Sequence, residues 1–467
     1  MRALIVSVAS SIRVATTSIA SKIVGMFLVT VFCVAIVGCN GLGPLSTSGA
    51  ATNTQDTYLA AGVGNLQTYL INHSTNQFIV TSYSSNGGTV QDSGSISQLS
   101  NGMFDFDITY FPGQILSGPP LTGNWEVEIP GQAALSELEI TSSYQTSTSF
   151  APLVPTGSCP SIKTPENFEF VTIPKLLNNS PILSADGWNP SLETAYGSAS
   201  IATNGSTVQF NSISQYTLPA LNGGTPGAPI NPASGNATGV CDATFFGQTV
   251  SVPSVVTVGD PGSGDETISA SATIGITSGG FLLEDSGSSQ GSAPYENVLG
   301  AGYGAIGLPE PPGALSTSAV VGAQYQGILY GSASGSNGSI NGPGFRLIGS
   351  FGYSDLATAC PTLPAPNDGT IIYGGEFANN DPAASSYGNC DLAIDLGAQD
   401  SSNNGLYPAA TVYVSASFPY NGIQAPYSFP AVAIAGQIGG EYAIFLVGMD
   451  TAGSPTQPWG IYLLQSN

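Results

Sequence analysis

The tetrapeptide Asp-Ser-Gly-Ser occurs twice in this chain, at Asp92–Ser95 and again at Asp285–Ser288. Two aspartates that meet in a fold can share one proton, so that one carboxylate activates water while the other carboxyl protonates a carbonyl oxygen. Asp92 and Asp285 are therefore the residues that would carry a hydrolytic reaction if the fold placed them side by side. Asp-Ser-Gly is also an ordinary turn sequence, which is the simpler interpretation of both sites.

The doubled motif resembles the catalytic motifs of pepsin-like aspartic proteases, which are also acidic all-β proteins with few basic residues. The resemblance implies a dyad of Asp92 and Asp285. The surroundings depart from the family pattern, because polar Gln91 and Glu284 precede the aspartates where the family has apolar residues. We interpret the protein as non-catalytic and keep an aspartic-protease-like hydrolase as the alternative.

Two glycine-rich motifs match well-known signatures without the context that their chemistry needs. The segment 302–307 fits the dinucleotide fingerprint G-x-G-x-x-G, which must open a helix, but Pro309 and further prolines follow at once. The segment 287–291 fits G-x-S-x-G, which in an α/β-hydrolase requires a histidine later in the chain. The sole histidine, His73, comes earlier, and its position in Asn-His-Ser-Thr predicts a solvated turn.

Acidic loops and aromatic residues offer two further kinds of binding chemistry. The loops 260–266 and 395–404, the latter with Asp400 and Asn403, carry the carboxylate and amide oxygens that Ca²⁺ binds. Neither loop follows the EF-hand order, so we expect solvated turns, no bound metal and no cofactor. Paired carboxylates for glycoside hydrolysis stay open, because spacing in the sequence does not give their separation in space. The tryptophans would suit a carbohydrate-binding face, although large aromatics more often fill β cores; they are Trp125, Trp188 and Trp459.

Cys39 follows a leader with the composition of a secretory signal. The leader holds three basic residues, and Ile23–Val37 is an uncharged apolar run. This run is shorter than the roughly 20 residues that a transmembrane helix needs. Small Gly38 then precedes the cysteine, as a cleavage site requires.

Residues 1–39 resemble the signal peptide and lipobox of bacterial lipoproteins. The resemblance implies cleavage before Cys39 and attachment of lipid to its thiol, which anchors the exported chain to the cell envelope. Asn40 is not the aspartate that usually signals retention in the inner membrane, so a cell with two membranes would carry the protein on the outer one. An ordinary signal peptide with a coincidental cysteine is the alternative.

The charge of the exported part excludes several classes of partner. Cleavage leaves three basic and all 29 acidic residues, a formal charge of 3 − 29 = −26. The remaining cations are Lys163, Lys175 and Arg346. Nucleic acid is excluded because phosphate contacts need clustered Lys and Arg, and charge-driven binding to anionic lipid is excluded for the same reason.

Four cysteines follow Cys39 in the chain, and they are Cys159, Cys241, Cys360 and Cys390. An even number in an exported protein predicts two disulfides, for which three pairings are open. We favour the sequential pairs Cys159–Cys241 and Cys360–Cys390. Zinc is the weaker alternative, because no two of these cysteines have C-x-x-C spacing.

The distribution of apolar residues predicts an all-β fold, an antiparallel sandwich or barrel. Short apolar segments alternate with turn signals, and alternation is strict in 104–108 and 125–129, as in strands with one wet face. Eight Asn-Gly steps beyond residue 57 predict tight hairpin turns; they begin at Asn86, Asn101, Asn204, Asn222, Asn337, Asn341, Asn404 and Asn421. The apolar runs 442–448 and 459–464 flank a turn and predict a final hairpin inside the core.

We divide the chain into a signal peptide (1–38), an acylated cysteine with a flexible tether (39–57), a small N-terminal β domain (58–155) and a larger C-terminal β domain (156–467). The segments 86–98 and 204–215 are similar in sequence, as a duplicated hairpin would be. These features together predict a lipid-anchored envelope protein that is structural or adhesive, or that binds a glycan or another envelope component.

Overall fold

Antiparallel β-strands form nearly all of the regular structure, as the sequence predicts. The computed structural model describes residues 55–62, 65–83, 89–99, 103–111, 114–115, 121–129, 133–140, 145–152, 162, 164–173, 195–203, 207–217, 237–242, 247–250, 256–258, 266–268, 272–277, 280–285, 304–331, 344–351, 369–374, 392–415, 426–450 and 457–465. All of them belong to one compact unit, Asn53–Asn467.

The first sheet contains nine described strands. They are β1 (Gln55–Gly62), β2 (Asn65–Asn72), β3 (Gln77–Tyr83), β4 (Thr89–Gln98), β5 (Phe104–Phe111), β6 (Gln114–Ile115), β7 (Leu121–Ile129), β8 (Ala133–Ile140) and β9 (Gln145–Pro152). The order is β1-β2-β3-β4-β5-β7-β8-β9, with β6 paired to β5. The end strands β1 and β9 lie beside each other, so the sheet curls toward closure around an aromatic core. In that core Phe78 stacks on Phe106 with ring centroids 4.5 Å apart.

A closed barrel follows the first sheet. The strands of this region are β10 (Glu166–Ile173), β11 (Ala195–Thr203), β12 (Thr207–Thr217), β13 (Ala237–Asp242), β14 (Gly247–Val250), β15 (Val256–Val258), β16 (Glu266–Ile268), β17 (Ala272–Thr277), β18 (Gly280–Asp285) and β19 (Gly304–Pro309). All except the separate pair β15–β16 belong to the barrel. It closes because β19 pairs with β10, where Phe168 lies opposite Pro309 and Ile173 opposite Gly304.

One short helix, α1 (Thr317–Gly322), precedes the third sheet, which contains eight described strands. They are β20 (Tyr325–Gly331), β21 (Gly344–Phe351), β22 (Ile371–Gly374), β23 (Leu392–Asp395), β24 (Leu406–Val414), β25 (Tyr427–Ile438), β26 (Glu441–Asp450) and β27 (Gln457–Gln465). The order is β21-β20-β27-β26-β25-β24-β23-β22. This sheet curls as well, because its end strands β21 and β22 lie near each other.

The strands β25, β26 and β27 are buried on both faces. On β26, Ile444 and Leu446 lie in the core enclosed by the third sheet, while Phe445 and Val447 lie in a second core on the other side. We call this second core the junction core, because all three sheets contribute to it. Its described residues are Met103, Ile129, Ala133, Leu135, Val171, Ile306, Leu308, Leu406, Val432, Ile434, Ile438, Ala443, Phe445, Val447, Met449, Tyr462 and Leu464.

Burial on both faces explains the uninterrupted apolar run in β26, because neither set of alternate side chains meets water. The predicted final hairpin is confirmed, since Ala443 lies opposite Leu464 and Gly448 opposite Trp459. The two-residue turn that enters β26 is Gly439-Gly440, with φ of +63° and +98°. Both values lie in the left-handed region, which a type I′ hairpin turn needs at its two central positions.

Seven of the eight Asn-Gly steps lie outside the described residues, and Asn404 is the one that the structure describes. In the sequence, each step falls between two described strands that pair in antiparallel fashion. The prediction of a tight two-residue turn is wrong at Asn404, because the connection from β23 to β24 runs over residues 396–405. There Gly405 has φ of +85° and ends a longer loop.

The predicted boundary near residue 155 falls between β9, which ends the first sheet, and β10, which opens the barrel. The similar segments at 86–98 and 204–215 form β4 and most of β12, each the second strand of a hairpin. The division of the folded part into separate domains, 58–155 and 156–467, stays a prediction.

Candidate functional site

Glu169 in β10 is a buried carboxyl without a hydrogen-bond partner. Its side chain is 2% exposed, and neither Oε1 nor Oε2 receives a hydrogen bond. Strand alternation places Asn167, Glu169 and Val171 on one face of β10. Val171 packs into the junction core with Leu308 of β19 and Leu406 of β24. Glu169 therefore lies on the face of the barrel that meets the third sheet.

Glu310 lies next to this face and joins the barrel to the loop 396–405. Its Oε2 accepts a hydrogen bond from Asn167 Nδ2 at 2.9 Å, and its Oε1 accepts one from the backbone N–H of Asn404 at 3.1 Å. Asn404 Nδ2 in turn donates to the carbonyl oxygen of Pro311 at 3.2 Å. The loop is thereby tied to the segment that follows β19.

Asp400 holds the backbone of the same loop. Its Oδ1 accepts hydrogen bonds from the backbone N–H groups of Ser402 at 2.8 Å and Asn403 at 2.9 Å. Asp395 acts similarly at the start of the loop, where its Oδ1 accepts from Gly397 N–H at 2.9 Å. The predicted turn character of 395–404 is confirmed, because both carboxylates stabilise turns of their own backbone.

The electrostatics of this region centre on Glu169. Burial, together with the negative charges of Glu310 and Asp400, raises the pKa of Glu169 to about 8. A carboxylate loses its hydration when it is buried, and two like charges nearby increase the cost of ionisation. Three acidic groups of three different segments thus act on one another at the edge of the junction core.

Asp92 is a second buried carboxyl without a hydrogen-bond partner. It lies in β4 opposite Val80 of β3, in a row that continues with Tyr69 of β2 and Tyr58 of β1 on the interior face of the first sheet. Its side chain is 2% exposed, and neither Oδ atom receives a hydrogen bond. Burial raises the pKa of Asp92 to about 6.

Asp92 and Asp285, the first residues of the two Asp-Ser-Gly-Ser motifs, belong to different sheets. The turn interpretation is wrong for Asp92–Ser95, which lies inside β4, where a register shift against β5 occurs between Ser93 and Gly94. Asp285 ends β18 opposite Ala272 of β17, and its side chain lies outside the described residues. A dyad of the two aspartates stays a prediction.

His73 is partly buried rather than solvated. It opens the predicted turn between β2 and β3, which Asn72 stabilises by accepting hydrogen bonds from the backbone N–H groups of Ser74 and Thr75. His73 Nε2 lies 3.4 Å from Oδ2 of the buried Asp56. The imidazole therefore links this turn to β1.

The other sequence motifs have structural roles where they are described. Gly304 and Gly307 lie in β19, which confirms that the dinucleotide fingerprint opens no helix here. Trp459 is buried in the third sheet with its ring edge-on to Phe429 at 5.0 Å, which confirms a core role for this tryptophan. The segment 287–291, Trp188 and most of 260–266 lie outside the described residues.

The predicted covalent sites also lie outside the described residues. This holds for Cys39 and for the side chains of all four later cysteines, of which Cys241 alone lies on a described strand, β13. Lipidation and both disulfides stay predictions. In the described part of the chain, no helix has the length and apolarity to cross a membrane. The same part contains no group of three or more His, Cys, Asp or Glu side chains arranged to hold a metal ion.

No protein-family model and no curated protein matches this chain. Among solved structures, it is similar to isotype 1 transferrin binding protein B from serogroup B Neisseria meningitidis, with 11% identity, a TM-score of 0.25 and coverage of 86% of this chain and 66% of that one. A double mutant of transferrin binding protein B from Haemophilus parasuis Hp5 has 9% identity and a TM-score of 0.24, with coverage of 86% and 65%. This chain thus spans slightly less than two thirds of those proteins. TM-scores this low establish neither a shared fold family nor a shared function.

Proposed function

We propose that this chain is a non-catalytic binding protein of the bacterial cell envelope, anchored by lipid on Cys39. The observation that carries the proposal is the distance along the chain between Cys39 and the folded body. The first described strand begins at Gln55, so residues 40–54 separate the cysteine from β1. Fully extended, a segment of that length reaches about 50 Å, enough to present a body clear of lipid headgroups.

The composition of the exported part indicates what the body contacts. Its charge of −26 and three cations disfavour phosphate-rich partners. Hydroxyl and amide side chains provide many neutral hydrogen-bonding groups, which suit the hydroxyls of a glycan or the polar surface of another envelope protein. We therefore propose a glycan or an envelope protein as the partner.

Intact-mass measurement of protein extracted from the membrane fraction tests the anchor. We expect the mass of residues 39–467 plus attached acyl groups. Cys39→Ser should lose the lipid mass and the membrane association, while Cys33→Ser, a matched change within the leader, should keep both. A full-length unmodified mass from the wild type would overturn the anchor proposal.

Cosedimentation tests the partner class. The purified chain should sediment with isolated envelope polysaccharide in a saturable manner, or should crosslink to one envelope protein in intact cells. Each result selects one of the two partners. Absence of both at micromolar concentration of the chain would contradict a binding role.

A hydrolase that uses Asp92 with Asp285 is the second candidate function. The observation that favours it is a buried Asp92 without a hydrogen-bond partner and with a pKa of about 6, because acid–base catalysis requires a carboxyl that exchanges protons near the working pH. Proteolysis of a denatured protein at acid pH would support it if Asp92→Asn abolished the activity. Asp107→Asn on the neighbouring strand β5 should leave such activity intact. No cleavage by the wild type would exclude this candidate.

A further inference from the structure

We propose that Glu169 is a pH-dependent switch between the barrel and the third sheet. Its neutral carboxyl permits the two to pack against each other, and its ionisation opens the contact along β10 and β19. Such a switch is independent of the proposed envelope function, because it acts inside the folded body. The sequence gives no sign of it, since an acid between two aromatic residues of β10 is typical of a strand with one wet face.

Glu169 lies one step inside the rim of this contact. On its face of β10, Asn167 is exposed, whereas Val171 packs into the junction core. Leu308 of β19, which lies opposite Glu169, belongs to the same core. The third sheet comes close at this point, since a Cβ on Gly436 of β25 would lie 3.2 Å from Leu308 Cβ. Strands β25 and β26 of the third sheet therefore cover the face of β10 that carries Glu169.

The carboxyl of Glu169 is compatible with the closed contact while it carries a proton. The side chain is 2% exposed, and neither of its oxygens receives a hydrogen bond. An ionised carboxylate in such a place loses its hydration without a replacement, whereas the neutral acid costs far less to bury. Separation of the barrel from the sheet returns water to the carboxylate, so ionisation and opening favour each other.

In the described part of the chain, the titratable groups around the junction core are acidic or neutral, so none of them compensates an ionised Glu169. Glu310 lies at the rim, where it accepts the hydrogen bond from Asn167 Nδ2. On β25 the residues of the junction core are apolar, and Glu441 of β26 lies opposite one of them, Ile438. Further titratable groups on the surrounding elements are Asp400 of the loop 396–405, Tyr196 of β11 and Tyr462 of β27.

The direction of the pH dependence follows from this arrangement. Burial, together with the negative charges of Glu310 and Asp400, raises the pKa of Glu169 from 4.5 to about 8 in the closed contact. A hydrated carboxyl in the open contact has the lower pKa, so opening releases a proton that the closed contact retains. The open fraction should therefore rise with pH above about 4.5 and level off above about 8.

A methionine at position 308 can report the opening, because peroxide converts an accessible thioether to the sulfoxide. Leu308→Met conserves side-chain volume and places this probe opposite Glu169. Leu446→Met is the matched control, since Leu446 is also buried but lies in the core enclosed by the third sheet. Peptide mass spectrometry of the full-length chain measures the oxidation rate at each position.

Between about pH 6.5 and pH 9, the oxidation rate at position 308 should rise at least about tenfold relative to the rate at position 446. Glu169→Gln has the size of the neutral acid and no proton to release, so it should hold this ratio constant. Glu166→Gln should keep the full rise, since Glu166 lies exposed on the same strand. If Glu169→Gln fails to fold, Glu169→Leu takes its place, because an apolar side chain leaves no buried polar group to satisfy.

Three results would overturn the switch. A ratio that does not change with pH in the chain with Glu169 would show that ionisation leaves the contact closed. Equal increases at positions 308 and 446 would show a general loosening of the fold. A rise that persists in both Glu169→Gln and Glu169→Leu would assign the proton to another group.

Discussion

At the residue scale, three buried acidic side chains determine how the stability of the protein responds to mutation and pH. Asp92, Glu169 and Asp56 are each at most 4% exposed, and of the three Asp56 has an imidazole within reach, since His73 Nε2 lies 3.4 Å from its Oδ2. A buried carboxyl is stable either as the protonated acid or with a cation. These three residues therefore predict three different responses to mutation and pH.

The stability of the protein should fall between about pH 4 and pH 6 because of Asp92. Its pKa is 3.8 in the unfolded chain and about 6 in the folded protein, so the folded state retains a proton that the unfolded state releases over this interval. The stabilisation is complete below the lower value and is lost as pH rises through the upper one. The loss is at most about 3 kcal/mol.

Chemical denaturation of the wild type and Asp92→Asn at several pH values measures this effect. The amide does not titrate, so the difference between the two free energies of unfolding should change by up to about 3 kcal/mol in favour of the variant as pH rises from 4 to 7. Other acids titrate in both proteins and cancel in the difference. A difference independent of pH would show that Asp92 ionises as freely in the folded protein as in the unfolded chain.

His73→Ala should destabilise the protein by about 1–3 kcal/mol, because it removes the imidazole that lies 3.4 Å from buried Asp56. Asp56→Asn combined with His73→Ala should cost less than the sum of the two single changes, since either change alone already removes the contact between the two side chains. Thermal unfolding of all four proteins measures the coupling. Additive effects would show that the pair contributes nothing beyond its separate contacts.

At the element scale, the backbone conformation of the loop 396–405 positions Asn404 against Glu310. A Cβ on Gly405 would clash with the carbonyl oxygen of Ala435 and lie 3.0 Å from Pro311 Cδ, and φ there is +85°. Gly405→Ala should therefore destabilise the protein by at least about 1–3 kcal/mol and displace Asn404 from Glu310. Gly369→Ala is a suitable control, because φ is also positive there but a Cβ would meet nothing within 4 Å. Equal stability losses in both variants would indicate backbone strain alone.

Truncating a buried side chain of strand β26 should destabilise the protein far more than truncating an exposed side chain of another strand. Phe445 is fully buried in the junction core, and Phe445→Ala should cost about 3–5 kcal/mol in denaturant unfolding. Ile79→Ala on β3 is the control, since Ile79 is 37% exposed and should cost well under half as much. Similar losses would mean that β26 is not buried on both faces.

The strands could be predicted from the sequence more completely than the candidate site. Period-two alternation and Asn-Gly steps report local chemistry, which is why β5, β7 and the final hairpin were foreseeable. Glu169 gave no such signal, because an acid between Phe168 and Phe170 is typical of a strand with one wet face. Its burial depends on the third sheet covering that face, which is a contact between residues far apart in the chain.

The segment Asp92–Ser95, which the sequence predicts as a turn, lies in a strand for a related reason. Ser and Gly favour turns locally, but pairing with β3 and β5 satisfies the backbone of this segment in a strand. Tertiary pairing thus overrides local preference there.

The junction core makes a prediction at the scale of the whole molecule. It includes Leu135 of the first sheet, Leu308 of the barrel and Phe445 of the third sheet, and β8 lies against β20. Sheets that share a core lose contacts together, so we expect one calorimetric transition for the whole folded body rather than separate transitions for 58–155 and 156–467.

Leu135→Ala distinguishes these two outcomes. Leu135 is fully buried in β8, and its truncation should cost about 2–5 kcal/mol. If the body unfolds as one unit, the single transition should move to lower temperature without splitting, because the lost contacts include residues of other sheets. Phe78→Ala, which removes a contact inside the first sheet alone, should shift the same transition. A lower transition that appears for residues 58–155 while the remainder keeps its Tm would instead establish two separate domains, with the junction core only a contact between them.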